Sequence, residues 1–109
     1  MSLQHLMELK FNEEEIIIGE EKYLVREMNC GDFGKYQASI IKFVNNKPEY
    51  EAKNAQKNLI MYSLRDMDGK RVFEDKDGEL VEKLPKSAGE KIFEIATRLN
   101  GMGEEAAKN

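Results

Sequence analysis

The chain has 109 residues, enough for one domain around one hydrophobic core and too few for two. It is 40% apolar and 35% charged with a formal net charge of −4, the composition of a folded domain with a heavily charged surface. Its 17 basic residues are interspersed among 21 acidic ones, which leaves no basic stripe for nucleic acid, and no apolar run approaches the roughly 20 residues that cross a bilayer.

No charged-then-apolar leader is recognisable ahead of the fold, and the protein is expected in the cytosol. Residues 1–4 read as an untethered start, and Leu9 and Phe11, two apart, as the possible opening of a strand. The clear strand signal is Glu15-Ile16-Ile17-Ile18, because three stiff β-branched side chains suit a pleated strand better than a helix. Gly19 supplies the positive φ of a tight turn, and Lys22 to Met28 returns as the second strand, with Tyr23 and Val25 on one face and Leu24 on the other.

Asn29 and Asp32 have the spacing of a helix N-cap and the acidic half of a capping box. Phe33, Tyr36, Ile40, Ile41 and Val44 then recur at three- and four-residue steps, predicting a helix that Asn45-Asn46-Lys47-Pro48 stops. A second helix is predicted over about 49–67, exposed in its first half and buried from Leu59 to Leu64, with Gly69 ending it. Residues 71–84 read either as a small hairpin pairing Val72 with Leu80 or as an irregular loop pinned by Val72, Phe73 and Leu80. The third helix opens on Ser87-Ala88-Gly89-Glu90, buries Ile92, Phe93, Ile95, Ala96 and Leu99, and closes at Gly101. Residues 103–109 are polar and are expected to fray. The fold class is therefore α+β: an N-terminal β-hairpin followed by three α-helices, in one domain ordered over about 7–102.

No reactive centre stands out. His5 is the only histidine and lies in the loose start, and Cys30 is the only cysteine, best read as a half-buried structural thiol. Gly31-Asp32-Phe33-Gly34 lacks the lysine and the spacing of a phosphate loop. Two Asp-x-Asp-Gly segments, at Gly69 and Gly78, suggest calcium loops, but both registers fail at the first ligand and lack a glutamate at the twelfth position. Ordinary aspartyl-glycine turns are the better reading. No enzyme, metal or cofactor is expected. More apolar residues exist than three helices and a hairpin can cover, and Ile17, Leu24, Ile41, Phe43, Met61 and Met67 are the candidates for an exposed partner-binding surface.

The run from 58 to 103 carries a further signal in the order of its parts. Ser63, Leu64, Asp66, Asp68, Gly69, Lys70 and Phe73 are followed by Leu84-Pro85 and then by Leu99-Asn100-Gly101. This resembles the small tail assembly chaperones of long-tailed bacteriophages and prophages, in which a helix ends in a Ser-Leu-x-Asp-x-Asp-Gly-Lys-x-x-Phe type segment. An acidic stretch, a Leu-Pro and a final helix closing on Leu-Asn-Gly come next. Tyr23, Arg26 and Glu27 match the family's usual tyrosine-x-x-arginine-glutamate segment, and Tyr36 falls where its first helix often has a tyrosine. The chain departs from the family at Asn29-Cys30-Gly31, where a proline-threonine start is common, and at Asp77-Gly78, where many relatives continue into a short helix.

The resemblance implies an assembly factor, bound to the tape measure protein before the tail tube polymerises. It implies the major tail tube protein as a competing partner, and homo-oligomers. A structural tail or head–tail connector subunit retained in the virion is the alternative, and a small acidic regulator such as an antitoxin a third reading.

Overall fold

The computed structural model describes residues 2–102, so the expectation for 103–109 lies outside the described residues. A five-residue helix, α1 (Leu3–Met7), precedes the first strand and buries none of its side chains. Leu9 and Phe11 are not in a strand; pairing begins at Glu13. The isoleucine run forms β1 (Glu13–Ile18), which turns at Gly19, φ +65°, into the antiparallel β2 (Glu21–Arg26). Alternation directs Ile16 and Val25 into the core, whereas Ile17 and Leu24 lie on the opposite face.

Asn29 caps α2 (Cys30–Ser39), its side-chain oxygen accepting from the Asp32 N–H at 2.7 Å. The helix ends five residues earlier than the periodicity suggests. Residues 41–50 instead form a second hairpin, β3 (Ile41–Val44) and β4 (Lys47–Tyr50), joined at Asn45 and Asn46 with φ of 53° and 64°. Two successive left-handed residues make the two-residue turn that matches strand twist, and asparagine tolerates that conformation better than most residues. Ile40, Ile41 and Val44 fit a helical face by spacing, but β-branching and the Asn-Asn pair favour the hairpin.

The next helix, α3 (Ala52–Ser63), is shorter than the predicted 49–67 at both ends. From Leu59 to Leu64 every residue is buried, as the sequence led one to expect. The chain then extends as β5 (Leu64–Arg65), which pairs with β2 through Leu24↔Arg65 and Val25↔Leu64, giving the sheet order β1-β2-β5. Asp66 shapes the turn that follows: its carboxylate accepts from the N–H groups of Asp68 at 2.9 Å and Lys70 at 3.0 Å, with Gly69 at φ +86°. Gly69 therefore closes a turn beyond a strand, and does not end the helix. An added side chain there would start 2.9 Å from the Arg26 guanidinium.

Between Val72 and Leu84 neither earlier alternative holds. A single 3₁₀ turn (Asp75–Asp77) leads into α4 (Gly78–Glu82), Phe73 packs against the core, and Leu80 is about half exposed. Gly78 is right-handed helical, φ −52°, so the Asp77-Gly78 departure from the phage proteins does not prevent a short helix. The final helix, α5 (Lys86–Leu99), starts behind Pro85 without a side-chain cap, which displaces the box expected at Ser87. It ends with Gly101 at φ +71°, the Gly101 N–H on the Arg98 carbonyl and the Met102 N–H on the Thr97 carbonyl, a Schellman closure.

The core is one cluster in which the second half of α3 (Leu59, Ile60, Tyr62) lies against α5 (Ile92, Ile95, Ala96). The inner face of the first sheet (Ile16, Val25) adds to it. Asn100 latches the end of α5 to the exit of β2: its side-chain carbonyl oxygen accepts from the Met28 N–H at 2.8 Å while its amide donates to the Ala96 carbonyl at 2.7 Å.

Candidate partner-binding surface

The β3–β4 hairpin stands apart from both the core and the three-stranded sheet, and the register decides what it displays. Ile41 faces Tyr50 and Phe43 faces Pro48, so these four side chains share one face; Lys42, Glu49, Val44 and Lys47 occupy the other. Ile41 is 46% exposed, Tyr50 66% and Phe43 71%. Each strand is thus apolar on one side and mostly charged on the other, the pattern of a sheet that buries one face. Nothing among the described residues covers that face, and a two-stranded ribbon alone is of marginal stability in water.

What fixes the ribbon is its base. The Glu51 N–H donates to the Ile40 carbonyl at 2.7 Å, and Asn58 donates to the Ser39 hydroxyl at 2.8 Å, which itself donates to the Tyr36 carbonyl at 2.7 Å. Asn54 adds bonds to the Ser39 carbonyl and the Glu51 carboxylate. Tyr36 is buried beneath this corner; burial, reinforced by the nearby Tyr50 phenol, pushes its hydroxyl up to about 12.

The six surface residues selected from the sequence fall on separate elements. Ile41 and Phe43 are on the ribbon, Ile17 and Leu24 on the outer face of the first sheet, and Met67 in the Asp66–Lys70 turn. Ile17 (54%) and Met67 (48%) are exposed and Leu24 is half-buried. Met61 is corrected to a core residue, 5% exposed, because α3 is enclosed on nearly all sides at its C-terminal end. Missed were Pro48 and Tyr50. Their signal was the period-two pattern Ile41-x-Phe43 and Pro48-x-Tyr50 around Asn-Asn, which the helical spacing of the same stretch obscured.

The turn that presents Met67 is braced by arginines. Arg71 lies over the Tyr62 ring at 4.9 Å, pairs with Asp75 at 2.9 Å and donates to the Met61 carbonyl at 3.3 Å. Arg65 reaches the Gly69 carbonyl at 3.4 Å, and burial, with the neighbouring Arg26 and Arg71 charges, lowers its pKa. At the N-terminus Leu3, Leu6, Met7 and Leu9 are exposed, and Phe11 lies under the Arg26 guanidinium at 5.5 Å.

His5 sits in α1, and Cys30, expected half-buried, is exposed at the first position of α2. Among the described residues no group of three or more His, Cys, Asp or Glu side chains could hold a metal ion, and no helix is long and apolar enough to cross a membrane.

The geometry defines a mixed α+β domain with an unaccompanied apolar ribbon. No protein-family model matches the chain, and no curated protein matches it. Among solved structures it is similar to the tail assembly chaperone of bacteriophage HK97, at 18% identity over 89% of this chain and 95% of that chain, with a TM-score of 0.61. At that identity the likeness establishes a shared fold, spanning most of both chains, and it agrees with the resemblance carried by the motifs from Ser63 to Gly101.

Proposed function

We propose that the chain is a tail assembly chaperone of a long-tailed phage or prophage, a non-enzymatic factor acting in the bacterial cytoplasm. Its client is the tape measure protein, bound through the apolar face of the β3–β4 ribbon. The observation that carries this reading is the Ile41, Phe43, Pro48 and Tyr50 face, left open on a fold shared with the HK97 chaperone.

Binding works by mass action. Covering an aggregation-prone amphipathic helix lowers the free concentration of apolar surface, and tail tube subunits that compete for the same helix release the chaperone. Homo-oligomers would raise the number of ribbons presented to a long client, and so its avidity.

Co-expression with a helical fragment of the tape measure protein tests the proposal. A stable complex at micromolar concentration is expected, together with absence of the chain from purified virions by mass spectrometry. Failure to associate refutes the chaperone reading, and stoichiometric retention in particles favours a structural subunit instead.

A further inference from the structure

A groove of about 480 Å³ runs between α3, α4 and the first turn of α5, away from the ribbon. Leu84 and Pro85 present its apolar surface, with the buried Ile60, Val81 and Gly89 beneath them. A Cβ placed on the buried Gly89 would meet the tip of Ile60 at 3.8 Å, an ordinary contact distance, so α5 lies close to α3 at this point.

The rim has the opposite character from the molecule as a whole. Against a net charge of −4, Lys53, Lys57 and Lys86 gather at this groove. Two of them converge on a single carboxylate oxygen of Glu82, Lys53 at 3.4 Å and Lys57 at 3.8 Å, so two ammonium charges share one partner. Lys86 reaches Glu90 at 3.4 Å with its side chain 89% exposed, and Lys53 is 79% exposed. The pairs made by Lys53 and Lys86 are long, wet and worth little, and an incoming carboxylate exchanges with them at small cost, whereas Lys57, 24% exposed, is more enclosed. The first turn of α5 borders the same groove without a side-chain cap, so its partial positive charge reinforces the lysines.

We infer that this groove is a second docking site, for an acidic amphipathic peptide segment of a partner protein. An apolar side chain of that segment packs on Leu84 and Pro85, above Ile60 and Val81, while flanking carboxylates meet the lysine rim. The charge selects the occupant: a basic segment meets repulsion from Lys53, Lys57 and Lys86 and gains only Glu82 and Glu90. The site goes beyond the ribbon reading and does not depend on it.

Two fluorescein-labelled synthetic helical peptides with the same leucine face, one carrying glutamates and the other lysines elsewhere, provide the test. Each is titrated against the full chain by fluorescence anisotropy, with methyl NMR of Ile60, Val81 and Leu84 to locate binding. The glutamate peptide is expected to bind roughly tenfold tighter than the lysine peptide, to perturb those methyls, and to weaken as salt is raised. The double variant Lys53→Glu, Lys86→Glu loses roughly tenfold for the glutamate peptide. Lys53→Gln, Lys86→Gln serves as a milder check should the reversal disturb the fold. Equal affinity for the two peptides, no binding, shifts confined to the ribbon, or full affinity in the folded neutral variant overturns the inference. The tape measure complex is scored separately, so either proposal can fail without the other.

Discussion

Replacing Phe43 by alanine removes the most exposed aromatic ring of the described residues, and its effect separates a binding role from a folding one. A phenylalanine has on the order of 200 Å² to bury, so its 71% exposure leaves roughly 140 Å² for a partner to cover. At about 25 cal/mol per Å² that is an upper limit near 3.5 kcal/mol. Alanine keeps the Cβ, so the loss should be about 2–3 kcal/mol, a roughly 30- to 150-fold rise in Kd. Folding should change far less. The ring already faces solvent and its cross-strand neighbour is Pro48, so the variant gives up about 0.2–1 kcal/mol of pair energy. Isothermal titration of wild type and Phe43→Ala with a helical tape measure fragment reads the first quantity, and thermal melting by circular dichroism the second. An affinity unchanged within about threefold in a variant that melts normally would refute the ribbon as the client surface. A melting point that falls in step with affinity would make Phe43 structural.

Asn100→Ala leaves the Met28 N–H without its 2.8 Å acceptor at a buried position, and a cost of about 1–3 kcal/mol is expected. Each kcal/mol should lower the melting temperature by about 4–8 °C, and a variant that melts with the parent would show that water replaces the amide. Alkaline pH should destabilise the fold through Tyr36, whose hydroxyl rises from the ordinary 10.0 to about 12. As pH climbs from about 10 to 12 the unfolded chain releases that proton while the folded chain retains it, so stability falls across this window. Denaturant unfolding of Tyr36→Phe should show a shallower decline, and an identical pH profile in the two proteins would sink this attribution.

The sequence exposed those parts of the fold that local chemistry dictates without competition. Three isoleucines before Gly19 allow little but a strand and a turn, and Leu99-Asn100-Gly101 holds a helix stop that tertiary packing only confirms. It misled where two periods fit one stretch. Ile40, Ile41 and Val44 satisfy a helical face as well as a strand does, and only the left-handed pair Asn45-Asn46 distinguishes them. The surface was harder still. Met61 and Phe43 are both apolar residues near helix signals, and which is enclosed depends on how α2, α4 and α5 pack around α3, a long-range outcome no local pattern encodes. The residues that carry the phage resemblance prove to be framework: Asp66 and Gly69 make a turn, Phe73 and Leu84 pack against the core, and Asn100 ties α5 to the exit of β2. None of them lies on the ribbon, which is why the motif announces the architecture and says nothing of the ribbon's exposed face.

Because the Glu51 N–H meets the Ile40 carbonyl at 2.7 Å, the two ends of residues 41–50 are already clasped where they leave the body of the protein. A segment held in that way behaves as an interchangeable cassette. Its exposed side chains can be rewritten, or the whole excursion transplanted, with little demand on the backbone around it. On the proposed reading, a new client would be met by drift in those positions alone, while the frame from Leu59 to Gly101 keeps its shape.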